Sequence, residues 1–327
     1  MTAISIIVSI DKQVGFKYMN SFEKCFINNE KILMEAALGE RLKREYSIKA
    51  ADDVALASII YNTENKFVLK KLYSEYLEIA KRYKLPIMIT TPTRRANKER
   101  VSNSKYDKDI IKDNVDFLKE IKEEFANDIY IGGLMGCAGD AYKSNEGLSI
   151  KDAVEFHSWQ AELFKQSAVD FLFAGIMPTL PEAIGMAEAM GNTGLPYIIS
   201  FMIREDGRLI DGTTIHDAIK IIDKSVTTVP LCYMSNCVHP EIVYKALDKE
   251  FNRTEKVRNR FKGIQANAAE LSPEELDNSS ELKISDPVSL AEEIEKLHKD
   301  FCLKIYGGCC GTDDKYLNEI AKKMTKW

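Results

Sequence analysis

The chain has 327 residues, 45 % of them hydrophobic and 29 % charged, and a formal net charge of −5. That length buries a sizeable core in one large domain or two small ones, and the acidic balance speaks against a nucleic-acid or anionic-membrane partner, which demands a basic face. No apolar run approaches the roughly 20 residues of a membrane span, and seven cysteines without a small-scaffold framework suit free or metal-bound thiols in a reducing cytoplasm.

The opening run over 1–10 reads as a strand, since no basic flank precedes it and no evident cleavage site follows. A polar stretch then runs to Glu30. Residues 1–30 are therefore expected to form an N-terminal extension, or a hairpin, that plugs one end of a single domain covering 1–327. Eight short apolar runs are expected as strands, at 31–35, 86–91, 128–134, 169–174, 196–201, 229–234, 260–265 and 301–306. Helical periodicity fills the intervals. The segment 67–84 sets Val68, Leu72, Tyr76 and Ile79 on one stripe, and 109–125 does the same with Ile110, Val115, Leu118 and Ile121. Ser149 and Asp152 have capping-box spacing. Thr179 with Pro181 predicts another helix start, and helices over 214–223 and 287–299 complete the alternation. Eight buried strands alternating with helices predict a parallel sheet, closed as a single (β/α)8 TIM barrel rather than an open doubly wound sheet. No G-x-G-x-x-G or P-loop follows the first strand. The polar stretch 272–280 reads as a loop after the seventh strand.

Barrel enzymes carry their chemistry where strands end and βα loops begin. Cys237 follows the sixth run by three residues, and Cys309 and Cys310 follow the eighth by three and four. Strands six and eight are two apart around a barrel, so their loops open on one pocket. Gly307, Gly308 and Gly311 supply the backbone freedom that two adjacent ligands on one ion require. Three thiolates suit Zn2+, which is tetrahedral and keeps a fourth position open in catalytic sites; iron–sulfur clusters usually take four cysteines. A buried pair or a vicinal disulfide is the competing reading of Cys309 and Cys310. His239 is a weaker candidate for a fourth ligand, because a closed site does not suit catalysis. Cys25, Cys137, Cys232 and Cys302 read as structural.

Gly307-Gly308-Cys309-Cys310-Gly311-Thr312 resembles the carboxy-terminal zinc motif of the homocysteine S-methyltransferase family, and Asn236-Cys237 resembles its upstream ligand motif. Other blocks are similar in the same order along the chain: Gly136-Cys137-Ala138-Gly139, Asp170 to Ala183, Ser200-Phe201 with Asp206-Gly207-Arg208-Leu209 and Asp211-Gly212-Thr213, and Asn267-Ala268-Ala269-Glu270. The resemblance implies a (β/α)8 fold and zinc held by Cys237, Cys309 and Cys310. It also implies transfer of a methyl group to a zinc-bound thiolate, with homocysteine the favoured acceptor and methionine the product. No side chain need act as catalyst. A free alkyl thiol with a pKa of about 8.5 is mostly protonated at neutral pH, and coordination removes that proton without a general base. The implied partners are a small-molecule thiol acceptor and a methyl donor; a homo-oligomer is compatible with the sequence.

Two positions depart from the family's pattern. Its first strand normally ends in Asp-Gly, where this chain has Glu35-Ala36; its fourth normally carries a Glu-Thr pair that contacts the amino-acid part of homocysteine, where this chain has Gly175-Ile176. Glu35, one methylene longer than aspartate, is the candidate to take over the α-ammonium. The alternatives are a different small thiol, a corrinoid-protein methyl donor, or a non-catalytic zinc-binding or redox-sensing barrel. Thr90-Thr91-Pro92-Thr93-Arg94-Arg95-Ala96-Asn97 resembles the family's threonine-rich block with two arginines inserted. Arg95 is the candidate clamp for a substrate carboxylate, set against two solvated loop arginines. Asn236 and Asn267 join the candidate substrate-binding set. So does Tyr233, which like Tyr306 would offer an aromatic face to a cationic methyl donor.

Overall fold

The computed structural model describes residues 19–50, 53–126, 128–270 and 285–327. Its first half runs α1 (Ser21–Asn28), β1 (Ile32–Met34), α2 (Gly39–Tyr46), α3 (Thr63–Tyr83), β2 (Ile87–Thr90), α4 (Lys98–Ser102), α5 (Asp109–Glu123), β3 (Ile129–Gly136), α6 (Ile150–Gln166) and β4 (Phe171–Met177). The second half runs α7 (Leu180–Gly191), β5 (Tyr197–Phe201), α8 (Ile215–Ser225), β6 (Cys232–Val238), α9 (Pro240–Leu247), α10 (Glu255–Arg260), β7 (Phe261–Ala266), α11 (Pro287–Phe301), β8 (Ile305–Gly308) and α12 (Asp314–Met324). The strands are parallel and form a closed barrel in sequence order, as expected. Ile32 pairs with Ile305 and Leu33 with Tyr306 to close the ring.

Strand alternation sorts the apolar side chains into two layers. Ile32, Met34, Met88, Phe171, Phe173, Ile198, Cys232, Met234 and Ile305 form one buried cluster inside the barrel. Their neighbours in sequence, such as Leu33, Ile87, Leu172, Ile199, Tyr233 and Tyr306, belong to the larger cluster beneath the helices. Helix α1 adds Phe22 and Cys25 to the inner cluster. Phe22 stacks on Phe171, the first residue of β4, at 4.3 Å between centroids. The Asn20 side chain donates to the Asp170 carbonyl at 2.9 Å, and Lys304 donates to the Phe26 carbonyl, also at 2.9 Å. The N-terminal end of the barrel is thus stoppered by a helix over 21–28. The strand expected over 1–10 and the loop expected over 272–280 lie outside the described residues.

Two strands begin three or four residues later than their apolar runs. The run at 301–306 straddles a helix end: Phe301 closes α11, and Cys302 caps it in the left-handed conformation at φ +57°. The run at 229–234 likewise covers the approach to β6 before reaching the strand. Thr179 sits at the N-cap of α7 as expected, yet its hydroxyl makes no capping bond. Asp211 of the loop after β5 supplies the cap, accepting from the Leu180 N–H at 2.6 Å. Among the described residues, no helix is long and apolar enough to cross a membrane.

Candidate metal centre

The register of β6 against β7 shifts between Asn236 and Val238, and Cys237 takes φ +63°, a region that non-glycine residues seldom enter. Bulges re-aim side chains. Here Asn236 and Cys237 both line one cavity, where strict alternation would send one of them toward the helices. Cys237 therefore lies within the C-terminal end of β6, not three residues beyond the strand. Cys309 and Cys310 directly follow β8. The Cys309 N–H donates to the Ala266 carbonyl at 2.7 Å and the Ala268 N–H to the Cys310 carbonyl at 3.0 Å, which stitches the pair to the end of β7. Gly311 turns the chain at φ +80°, and its N–H donates to Glu40 at 2.6 Å. A Cβ on Gly307 would lie 2.7 Å from the Met34 carbonyl oxygen, so the close approach of β8 to β1 requires glycine there.

The three Sγ atoms of Cys237, Cys309 and Cys310 lie within 4.8 Å of one another, with Cys237 and Cys310 at 3.3 Å. None of the three is in a disulfide in this structure. Zinc–thiolate bonds of about 2.3 Å in a tetrahedron set sulfurs about 3.8 Å apart, so this donor set fits a zinc ion with little movement. Among themselves the thiols share hydrogen bonds. Hydrogen bonding with Cys309 and Cys310 holds the Cys237 thiol well below its ordinary pKa, and the Cys237 sulfur pushes the other two well above theirs. Three sulfurs this close ionise together only with a cation between them. His239 does not complete the set. It is the N-cap of α9, its Nδ1 accepting from the Glu241 N–H at 3.3 Å, while its Nε2 lies 2.9 Å from the Ser285 hydroxyl.

The sulfurs form one wall of a cavity of about 490 Å³ at the C-terminal mouth of the barrel. Leu134 and Phe173, from the barrel interior, give it an apolar lining. Glu35, one residue past β1, is buried and accepts from the Thr90 N–H at 2.8 Å and the Thr90 hydroxyl at 2.6 Å. Burial pushes its pKa up to about 8 despite those two bonds. Arg95 lines the same cavity, with its pKa lowered by burial and by the charges of Arg94 and Arg100. Ile176 and Asn236 line it from β4 and β6.

Tyr233, Tyr306 and Asn267 stand elsewhere. Tyr233 is the second residue of β6 and faces the helices, where its hydroxyl donates to Asp223 at 2.8 Å and the Arg260 guanidinium covers its ring. Tyr306 holds the matching place in β8, with its hydroxyl 2.7 Å from His298 Nδ1. Both correct the expectation of an aromatic face for the methyl donor, and the cause is the late start of the two strands. Asn267 is buried in the turn after β7, off the cavity wall, with Oδ1 accepting from the Ala269 N–H at 3.1 Å.

Beside the sulfurs, one wall residue that carries a polar group goes unmarked in the sequence. Tyr142, in the loop after β3, reaches the Cys237 sulfur with its hydroxyl, and burial together with the sulfurs raises its pKa. Its loop is pinned by the buried Glu182 of α7, which accepts from the Ala138 N–H at 2.7 Å and lies 3.2 Å from His157 Nε2. The available signal was position alone, in a βα loop of a barrel.

A family profile described as homocysteine S-methyltransferase matches residues 32–324, from the start of β1 to the end of α12. Among solved structures, the metallated form of the homocysteine methyltransferase MmuM from Escherichia coli superposes with a TM-score of 0.72 at 17 % identity, covering 91 % of this chain and 98 % of that one. Its oxidized form gives 0.72 at 17 % identity over 91 % and 97 %, and its apo form 0.65 at the same identity and coverage. At such identity the likeness speaks for the fold. No curated protein sequence matches the chain. The family is zinc-dependent, and the three-sulfur cluster fits that requirement. The chain belongs to the homocysteine S-methyltransferase family, whose enzymes transfer a methyl group to homocysteine.

Proposed function

We propose that homocysteine binds in this cavity with its sulfur toward Cys237, Cys309 and Cys310, its ammonium at Glu35 and its carboxylate at Arg95. One juxtaposition carries the reading: three sulfurs, a buried carboxyl and a half-buried guanidinium line the same cavity of about 490 Å³. Zn2+ held by the three cysteines supplies a Lewis acid that keeps the acceptor sulfur deprotonated at neutral pH.

The chain's own residues orient the acceptor. Thr90 fixes the Glu35 carboxyl through two hydrogen bonds, and an ammonium beside it favours the ionised form. The planar fork of Arg95 matches a carboxylate. Holding the amino-acid end at two points leaves the sulfur few orientations, and such restriction is worth much of a bimolecular barrier. Leu134, Phe173 and Ile176 limit water around the reacting atoms. The sulfur's electron pair then forms the new bond to the methyl carbon, and the donor keeps the pair of the bond that breaks. Seven cysteines in the chain suit a reducing cytoplasm.

Zinc-edge X-ray absorption tests the reading. The zinc-loaded protein should gain a fourth sulfur neighbour when L-homocysteine is added. An unchanged spectrum sinks the proposal. A fourth sulfur from another small thiol, with none from homocysteine, would give the acceptor role to that thiol, the reading that Ile176 in place of the family's threonine favours.

A further inference from the structure

Cys309, Cys310, Gly311 and Thr312 form a tight turn, closed by the Thr312 N–H donating to the Cys309 carbonyl at 3.1 Å. Gly311 holds its third position at φ +80°, the mark of a type II turn. The closing bond leaves out the middle peptide, between Cys310 and Gly311. A type I turn of the same four residues differs chiefly by a half-rotation of that one plane, so nothing inside the turn fixes it. Two groups outside do. The Ala268 N–H donates to the Cys310 carbonyl at 3.0 Å, and the Gly311 N–H donates to Glu40 Oε2 at 2.6 Å.

Glu40 stands in the first turn of α2, on a firm support. Its neighbour Arg41 is buried and forms ion pairs with Glu45 at 2.7 Å, Glu75 of α3 at 2.9 Å and Asp314 of α12 at 3.5 Å. Tyr76 of α3 donates to the Ala37 carbonyl just ahead of the helix. The other Glu40 oxygen pairs with Arg44 one turn on, at 3.1 Å, which leaves Oε2 to Gly311. The near end of the loop rests on the same segment, since the Gly308 N–H donates to the Glu35 carbonyl at 3.1 Å. Cys309 and Cys310 are thus slung between the end of β7 and the segment from β1 to α2.

We infer that Glu40 is a positioning residue of the metal centre: it locks the Cys310–Gly311 peptide and so holds Cys309 and Cys310 in the arrangement that receives the ion. Glu40 is outside the group of side chains close enough to share one ion, so it acts through the peptide and not as a ligand. The inference rests on the three-cysteine reading of the centre. An amide donating to a carboxylate makes a charge-assisted bond, stronger than a neutral one. Without it the peptide plane is free to rotate, and metal binding must then order the turn at a cost in affinity. Groups that orient metal ligands typically contribute about 10–100-fold to metal affinity.

The test follows the full-length protein by two readouts. Competition with a chromogenic chelator gives the affinity for Zn2+, and the visible spectrum of the Co2+-loaded protein reports its thiolate ligands. Glu40→Ala should hold Zn2+ about 10–100-fold more weakly than the wild type. Its Co2+ spectrum should also change at saturation, because the two sulfurs no longer share one fixed arrangement. Glu40→Met keeps the length without the acceptor and should match Glu40→Ala; it carries the test if the alanine variant does not fold. Glu40→Gln returns an acceptor oxygen to Gly311 and should recover most of the affinity and the wild-type spectrum. Arg44→Ala breaks only the exposed pair on the same helix and should bind as the wild type does. The inference is overturned if the variants without an acceptor keep wild-type affinity, if Glu40→Gln is as weak as they are, or if Arg44→Ala is equally weak. A wild-type Co2+ spectrum without thiolate bands removes the three-cysteine centre itself, and the role of Glu40 falls with it.

Discussion

The side-chain oxygen of Asn236 accepts the Ile176 backbone N–H at 2.9 Å, and Ser200 of the intervening β5 donates its hydroxyl to the same oxygen at 2.6 Å. One atom therefore ties three strands where β4 and β6 leave regular register. It does so at Ile176 and beside Cys237, both in left-handed backbone at φ +58° and +63°. Such backbone costs an L-residue roughly 1–2 kcal/mol and persists where the surroundings fix it. Asn236 thus couples the cavity wall at Ile176 to the backbone that sets the Cys237 sulfur.

Asn236→Ala leaves two buried donors unpaired. A loss of about 1–3 kcal/mol is expected for each, together with weaker zinc retention as the Cys237 backbone relaxes. Denaturant unfolding and chelator competition measure the two effects. Asn236→Asp keeps the acceptor and should recover most of both. Lost stability with unchanged zinc affinity would sever the proposed coupling.

Cys237→Ala, Cys309→Ala and Cys310→Ala should each strip zinc from the purified protein, as read by elemental analysis, because three ligands leave none to spare. Cys302→Ala should keep the full complement, since that residue caps α11 at the start of β8. Full retention in any of the first three takes that residue out of the ligand set.

Glu35 gives the protein a defined pH response. Its pKa rises from 4.5 to about 8 in the folded chain. Between those values the folded state holds a proton that the unfolded state has released, so this group makes stability fall as pH rises. The loss is complete above pH 8. Glu35→Gln should therefore gain on the wild type between pH 4.5 and 8, on the order of a few kcal/mol. L-methionine has no thiol proton, so any proton released on its binding near pH 7 reports Glu35. Calorimetry in buffers of different ionisation enthalpy reads that release. Its persistence in Glu35→Gln would free the ammonium from Glu35.

Phe22→Ala tests the stopper. The ring is fully buried against Phe171, and its removal should cost about 3–5 kcal/mol. Zinc content under native conditions should not change, because the stopper and the sulfurs occupy opposite ends of the barrel. Metal loss in a folded Phe22→Ala protein would contradict that separation.

The barrel is legible in the sequence because its strands are covered on both faces, and such strands appear as short continuous apolar runs. Their boundaries are less legible. Hydrophobicity does not mark the left-handed Cys302 that divides α11 from β8, and the misreading of Tyr233 and Tyr306 follows from that kind of slip. The cysteines stand out because the spacing of βα units brings the ends of β6 and β8 to one mouth. Glu35 and Arg95 stand out as departures from a known pattern. Tyr142 and the Asn236 bridge depend on a loop path and two bulges, neither of which leaves a periodic trace.

The sulfurs hang on β6 and just beyond β8, while β8 completes the ring by pairing with β1. A nascent or partly folded chain that has not docked its last strand offers Cys237 alone, and one thiolate is a poor host for zinc. Metal capture is therefore a late event that times the completion of the ring, and a chromogenic chelator could follow it as a stopwatch during refolding. An ion held by all three sulfurs would act as a latch on the carboxy-terminal strand, and its withdrawal should loosen the β8–β1 seam first.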